Sequence, residues 1–396
     1  MKKSVFLFLM CSLLLAPLAT QAQTLSAQAR ISLLTIAPGE ELYSGFGHTG
    51  IRVMDPVNRF DRVYNYGTFD FQPPIWKFYL NFLKGHLIYR MDTESFREFD
   101  YVYHYYKRTY TEQVLNLDSA QKQHLFQAME INKLPENRQY PYDFFFDNCA
   151  TRPRDLFSKI LGDSLKLHTP EASSGLSFRD MLGIYLVNKP WEDFGIDLIL
   201  GAGVDKTTTY SQQMFLPDFL ASELAKAEII RNGKPEPFTL PQQVLYEGEP
   251  ASSAPAWYLT PAFVFSLLLG LTGLLTWRDL RRRRRSRGLD FTIFLISGLA
   301  GLIIFLLWFA TEHKPTAWNL NAAWLLPSHL YVAFLLLRKA PPAWAKTYLM
   351  AAAAIVILLI VNWFWLPQEL HAAFLPWMGI LLLRMGVMLW GPLKIA

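Results

Sequence analysis

The sequence predicts an α+β exported domain followed by an all-α membrane domain of about five transmembrane helices. Three observations lead there. The first residues have the layout of a secretory signal, the middle of the chain mixes short strand-like and helix-like segments, and the last third is a series of long apolar stretches.

The signal is read over residues 1–22. Lys2 and Lys3 precede an apolar run from Val5 to Ala19, and the small residues Thr20 and Ala22 suit cleavage before Gln23. Cys11 lies inside that run, so cleavage leaves Cys149 as the single thiol of the mature chain. An unpaired thiol is unusual in an exported compartment, where cysteines normally form disulfides.

The apolar stretches are Tyr258–Trp277, Phe291–Ala310, Leu320–Leu337, Tyr348–Leu366 and Ala372–Leu389. Each approaches the ~20 residues that cross ~30 Å of hydrocarbon as a helix. The linker after the first carries Arg281–Arg285, and the linker after the third carries Arg338, Lys339 and Lys346; Lys314 alone occupies the other two. The positive-inside rule places the arginine linker and the C-terminus in the cytoplasm and the preceding domain outside. Arg384, inside the last stretch, is expected to snorkel to the cytoplasmic interface.

Composition narrows the function. A chain that is 52% hydrophobic and 18% charged is not intrinsically disordered. The net charge of +5 is concentrated in residues 278–290, which hold seven Arg and two Asp and leave 31 residues of each sign elsewhere. No basic face remains for a nucleic acid. There is no HExxH, no paired His/Cys spacing and no Gly-rich phosphate loop, so neither metal nor cofactor is expected.

The exported domain is read over residues 23–234, with a proline-rich linker over 235–256 and the membrane domain over 257–396. Ile31–Ala37, Thr49–Met54, Arg62–Gly67 and Leu87–Asp92 have the composition of strands, and Asp55–Asn58 supplies a turn between the second and third. Ile75–Leu83, Asp118–Leu134 and the segment from Cys149 to Gly162 read as helices.

Two segments carry candidate chemistry. Ser44–Val53 brings His48 into a strand between glycines, and Phe144–Arg152 sets Cys149 where an apolar segment meets a helix. A thiol in the first turn of a helix is expected to have a lowered pKa, because the dipole and free N–H groups favour thiolate. A histidine within hydrogen-bond reach completes a nucleophile–base pair.

His48 preceding Asn148-Cys149 resembles the circularly permuted, papain-like branch of the NlpC superfamily, which includes lecithin:retinol acyltransferase. The GHTGIRV, DRVYNYGTFDF and DNCATRPRD segments more closely resemble the N-terminal periplasmic domain of Lnb, the lipoprotein N-acyltransferase family of Bacteroidota. The resemblance implies a permuted papain-like (NlpC-type) fold, Cys149 as nucleophile and His48 as general base. It implies a multi-pass protein of the bacterial inner membrane with its N-terminal domain in the periplasm. Relatives often place a second histidine beside the base, but Arg62–Asp70 contains none. Asn65 or Tyr66 is the candidate orienting group, depending on hairpin register. Asn148 either caps the helix or helps hold an oxyanion, and Arg152 and Arg154 either form ion pairs or meet a phosphate headgroup.

The implied reaction moves a phospholipid acyl chain through a Cys149 thioester to the N-terminal amine of a lipoprotein. The alternative is a membrane-anchored cysteine peptidase or amidase acting on cell-envelope peptides.

Overall fold

The computed structural model describes residues 24–69, 74–168, 170–249 and 254–391, and the expected signal at 1–22 lies outside them. The chain runs through β1 (Arg30–Ile36), β2 (His48–Asp55), β3 (Phe60–Thr68), α1 (Ile75–Lys84), β4 (Ile88–Ser95) and α2 (Phe96–Tyr105). It continues as β5 (Tyr110–Val114), α3 (Ser119–Asn132), β6 (Gln139–Pro141) and α4 (Thr151–Leu161). The β2–β3 turn forms where Asp55–Asn58 predicts it, with Asp55 Oδ1 accepting from the N–H groups of Val57 and Asn58 at 3.1 and 3.3 Å. Asp118 and Gln121 form a reciprocal capping box at the start of α3.

Beyond α4 come β7 (Leu165–Lys166), β8 (Ser173–Ser177), α5 (Phe178–Leu186), α6 (Pro190–Ile199), β9 (Thr207–Thr209), α7 (Pro217–Lys226), β10 (Glu228–Arg231), β11 (Lys234–Pro237) and β12 (Gln243–Tyr246), with a single helical turn before α7. The main sheet has seven strands in the order β12-β5-β1-β2-β3-β4-β6. Its strand pairs are antiparallel. Ile31, Leu33, Ile51, Val53, Tyr64 and Tyr66 form one buried face together with Leu125, Phe126 and Met129 of α3 and Leu156 and Phe157 of α4. On the other face Leu34, Ile36, Val63 and Tyr110 meet Phe99 of α2.

The linker expected over 235–256 is largely folded. Lys234–Pro237 pairs with β10, Gln243–Tyr246 pairs with β5, and Phe238 between them is fully buried. The prolines misled because proline is tolerated on edge strands, and both β11 and β12 are edges. As far along as Glu249 the chain stays tied to the domain, the Glu249 N–H donating to Lys107 O at 3.0 Å.

The membrane part comprises α8 (Pro261–Arg282), α9 (Arg287–Phe309), α10 (His329–Leu336), α11 (Ala343–Val361) and α12 (Phe374–Trp390). Among the described residues α8, α9 and α11 are long and apolar enough to cross a bilayer; Asn321–Leu336 and α12 are shorter apolar helices. The third stretch is broken between Trp324 and His329, and that break presses against α9. A Cβ on Gly301 would lie 1.7 Å from Leu325 O, so no side chain fits there.

Arg384 does not snorkel. It is fully buried, with Nε 2.7 Å from Asp290 Oδ1, Nη2 3.1 Å from Asp279 Oδ2, and Nη1 donating to Thr276 Oγ1 at 2.8 Å. The acids come from the edges of the arginine linker, and Arg285 Nε adds a second cation to Asp290 at 3.3 Å. Asp279 and Asp290 are themselves buried, so a guanidinium between them compensates charges that would otherwise be left unpaired.

The exported domain is seated on the bundle as well as linked to it. Phe194 of α6 belongs to the bundle's buried core beside Phe265, Phe374 and Trp377. Asn319 and Asn321 donate to the carbonyls of Leu198 and Asp197 at 2.9 and 3.1 Å, and Gln368 donates to Leu200 O at 2.9 Å. These amides supply donors to carbonyls at the C-terminal end of α6 that the helix itself leaves unpaired.

Candidate active site

His48 is the first residue of β2, and the two-residue period of strands puts it on the face opposite Ile51 and Val53. The hairpin register pairs Gly50 with Asn65, so Asn65 projects from the same face one step along. Its Oδ1 lies 3.3 Å from His48 Nε2. Tyr66 points the other way into the core, where its hydroxyl accepts from Asn132 Nδ2 at 2.9 Å. Of the two orienting candidates, the register brings Asn65 to the histidine and takes Tyr66 away.

No sequence motif singles out Glu94, which sits near the end of β4 and accepts from Asn65 Nδ2. Its only advance signal is strand alternation, which places it with Val63 across the β3–β4 pair. An ionised carboxylate can only accept, so it fixes which end of the Asn65 amide faces it. The amide oxygen is then left for His48, whose Nε2 must carry the proton, and Nδ1 is the free basic nitrogen. Burial raises the Glu94 pKa, with Glu98 and Asp92 adding to the rise and the Asn65 hydrogen bond opposing it.

Cys149 lies two residues before α4 and is free and partly buried. Gly67, at the end of β3, has φ +96°, and a Cβ built there would lie 3.4 Å from Cys149 Cβ and 3.9 Å from His48 Cε1. Thiol and imidazole therefore flank one point, kept open by a residue with no side chain. Any other residue at 67 would also pay for the left-handed backbone.

The electrostatics reverse the lowered thiol pKa expected from a helix start. Burial raises Cys149 to about 11, against opposing contributions from the N–H groups of Thr49 and Cys149 itself and from Arg108. Burial lowers His48 to about 4, reinforced by Arg108 and resisted by Asn65. The phenols of Tyr89, Tyr103, Tyr140 and Tyr142 lie within electrostatic reach of the sulfur. At neutral pH the pair rests uncharged.

Residues 18–179 match the Lnb N-terminal periplasmic domain, and residues 253–394 match the Lnb transmembrane domain. The chain belongs to the Lnb family. No curated protein and no solved structure matches it. As an Lnb-family protein it is a membrane enzyme of lipoprotein biogenesis, with an N-terminal periplasmic domain and a C-terminal helical membrane domain. His48, Asn65, Glu94 and Cys149 all fall within the first matched segment of this Lnb chain.

The remaining candidates have protein partners. Asn148 is buried; its Oδ1 accepts from the N–H groups of Ala150 and Thr151 at 2.8 and 2.9 Å, and its Nδ2 donates to Phe144 O and Phe215 O. It satisfies two N–H groups where the chain enters α4, whose N-cap is Ala150, and both its amide hydrogens are given to carbonyls. Arg152 is paired with Asp147 through Nε and Nη2 at 2.6 and 2.8 Å and lies over the Tyr140 ring. Arg154 joins Asp155 at 2.7 Å and donates to Ser211 O at 2.8 Å. In the membrane region of the Lnb chain, His329 meets Trp324 O and the Tyr348 hydroxyl at 3.1 and 2.7 Å, an internal hydrogen-bonding role.

Proposed function

We propose that this chain is a thiol acyltransferase that carries a phospholipid acyl group on Cys149 and delivers it to the N-terminal amine of a lipoprotein's lipidated cysteine. The observation that supports this reading is the meeting of Cys149 and His48 around Gly67, with Asn65 and Glu94 behind the histidine. The antiparallel sheet with its histidine strand ahead of the thiol is the order of a permuted papain-like domain. Counting Asn321–Leu336 and α12 with the three longer helices gives five spans, a periplasmic domain and a cytoplasmic C-terminus.

His48 Nδ1 takes the thiol proton as sulfur attacks the acyl ester carbonyl, since a resting thiol with a pKa about 11 is not itself nucleophilic. The Cys149 N–H, already directed at the sulfur, is the donor available to the developing oxyanion. The ester C–O bond breaks, the imidazolium returns its proton to the departing lysophospholipid alkoxide, and a thioester remains. The lipoprotein amine then attacks the thioester, gives its proton to His48 and expels the sulfur, which is reprotonated.

Incubation of the purified protein with phospholipid, without acceptor, is expected to add one acyl mass to the peptide containing Cys149. Cys149→Ser and His48→Ala should abolish and strongly slow that addition. A Cys149 peptide of unchanged mass beside active turnover would overturn the thioester route.

A further inference from the structure

α1 follows β3, whose Gly67 faces Cys149 and His48, and precedes β4, which carries Glu94. Trp76, Leu80 and Leu83 on α1 are 64%, 41% and 58% exposed. Their spacings of four, three and seven place them in one stripe along the helix. Lys77 and Lys84, also seven apart, are exposed beside that stripe. A soluble surface rarely carries so regular an apolar row, whereas a helix lying in a headgroup layer combines Trp and Leu with flanking Lys.

The position of the helix identifies what covers the row. Its C-terminal end rests on the outer end of α9: Glu312 N donates to Lys84 O at 2.9 Å, His86 Nε2 is 2.9 Å from Glu312 Oε1, and a Cβ on Gly85 would lie 3.3 Å from Glu312. Exposed aromatics mark both ends of the bundle, Trp257, Trp318 and Trp365 at this end, each at least 70% exposed, and Trp277 and Trp390 at the other. Such residues mark the membrane–water interface.

We infer that α1 is an interfacial helix seated in the outer leaflet, with Trp76, Leu80 and Leu83 at the acyl boundary and Lys77 and Lys84 among lipid phosphates. The end of β3 with Gly67 is thereby held near the level of the lipid ester groups. This placement follows from the membrane domain and does not depend on the acyl-transfer reading.

The test uses the full mature chain in nanodiscs of phosphatidylethanolamine and phosphatidylglycerol, in a Cys149→Ser background. Leu80→Cys, Ile131→Cys on α3 and Leu267→Cys in α8 are labelled singly with an environment-sensitive fluorophore, and lipids spin-labelled near the headgroup or deep in the chain act as quenchers. Position 80 is expected to be quenched several-fold more than 131, and by the shallow label more than the deep one. Position 267, inside α8, reports that the quenchers reach the bundle. Quenching at 80 equal to that at 131 would overturn the inference, whatever the enzyme proves to transfer. In the parent chain, Trp76→Ser with Leu80→Ser and Leu83→Ser should slow acylation by nanodisc phospholipid while leaving iodoacetamide alkylation of Cys149 unchanged. With a parent chain that is acylated, an unaltered rate in the triple variant would argue against the placement; the quenching contrast decides it independently of that reaction.

Discussion

Asn65 accepts from His48 through one end of its amide and donates to Glu94 through the other, so a carboxylate on β4 decides which nitrogen of an imidazole on β2 is free. Asparagine has no charge with which to choose its own orientation; the choice is imposed from Glu94. The tautomer of the proposed base is thus set by a residue on another strand.

Exchanging the two functional groups tests that chain of hydrogen bonds. Glu94→Gln removes the obligate acceptor and lets the Asn65 amide flip, and Asn65→Asp places two carboxylates together; each is expected to lower turnover substantially. Asn65→Asp combined with Glu94→Gln puts an acceptor at 65 facing both His48 and a new donor at 94, and should restore most of the rate. His48→Ala sets the floor, a loss of about 10²–10⁴-fold. Nitrogen-15 spectra of the histidine should show the Nε2–H tautomer in the parent and the double variant, and a mixture in Glu94→Gln. A double variant no better than the single ones would show that Glu94 serves packing alone.

The pH dependence follows from burial of the pair. His48 acts as a base only when neutral, and with its pKa at about 4 instead of the ordinary 6.5 the rate should hold steady down to about pH 5 and fall below it. Between pH 6.5 and 4 the unfolded chain binds a proton that the folded chain refuses, so this contribution to stability is lost as pH falls through that window. Cys149 works oppositely: from its ordinary 9.0 to about 11 the unfolded thiol ionises first, and stability declines as pH rises. Thermal unfolding midpoints across pH 4 to 11, compared with His48→Gln and Cys149→Ala, separate the two limbs.

Local chemistry made the first half of the domain readable. The β2–β3 turn, the Asp118 cap and the alternation of β1 to β4 are short-range signals that neighbours on the chain enforce. Which of Asn65 and Tyr66 meets His48 was not readable, because a shift of one residue in register exchanges them. Glu94 was hidden for a related reason, since its partner lies on another strand and its own surroundings contain other acids. The proline-rich stretch after β10 misled because sequence shows that proline interrupts a ladder without showing that the strand is at an edge. The raised thiol pKa was equally hidden, as it depends on burial that only the assembled fold creates.

Arg384 supplies the last prediction, and here snorkelling and burial give opposite outcomes. A guanidinium reaching solvent could be replaced by methionine with little effect, since its stem would keep its packing. The observed guanidinium instead bonds Asp290, Asp279 and Thr276 out of contact with solvent. Removing it leaves Asp279 with Ser286, whose N–H and hydroxyl donate at 2.9 and 2.7 Å, and leaves Asp290 with Arg285. Arg384→Met is therefore expected to cost about 3–5 kcal/mol, the usual penalty for taking one partner from a buried ionic cluster. Adding Asp290→Asn and Asp279→Asn removes the stranded charges and should recover part of that loss. Denaturation midpoints in detergent measure both steps, and because the cluster joins α8, α9 and α12, the single variant should also show new protease cleavage in the arginine linker.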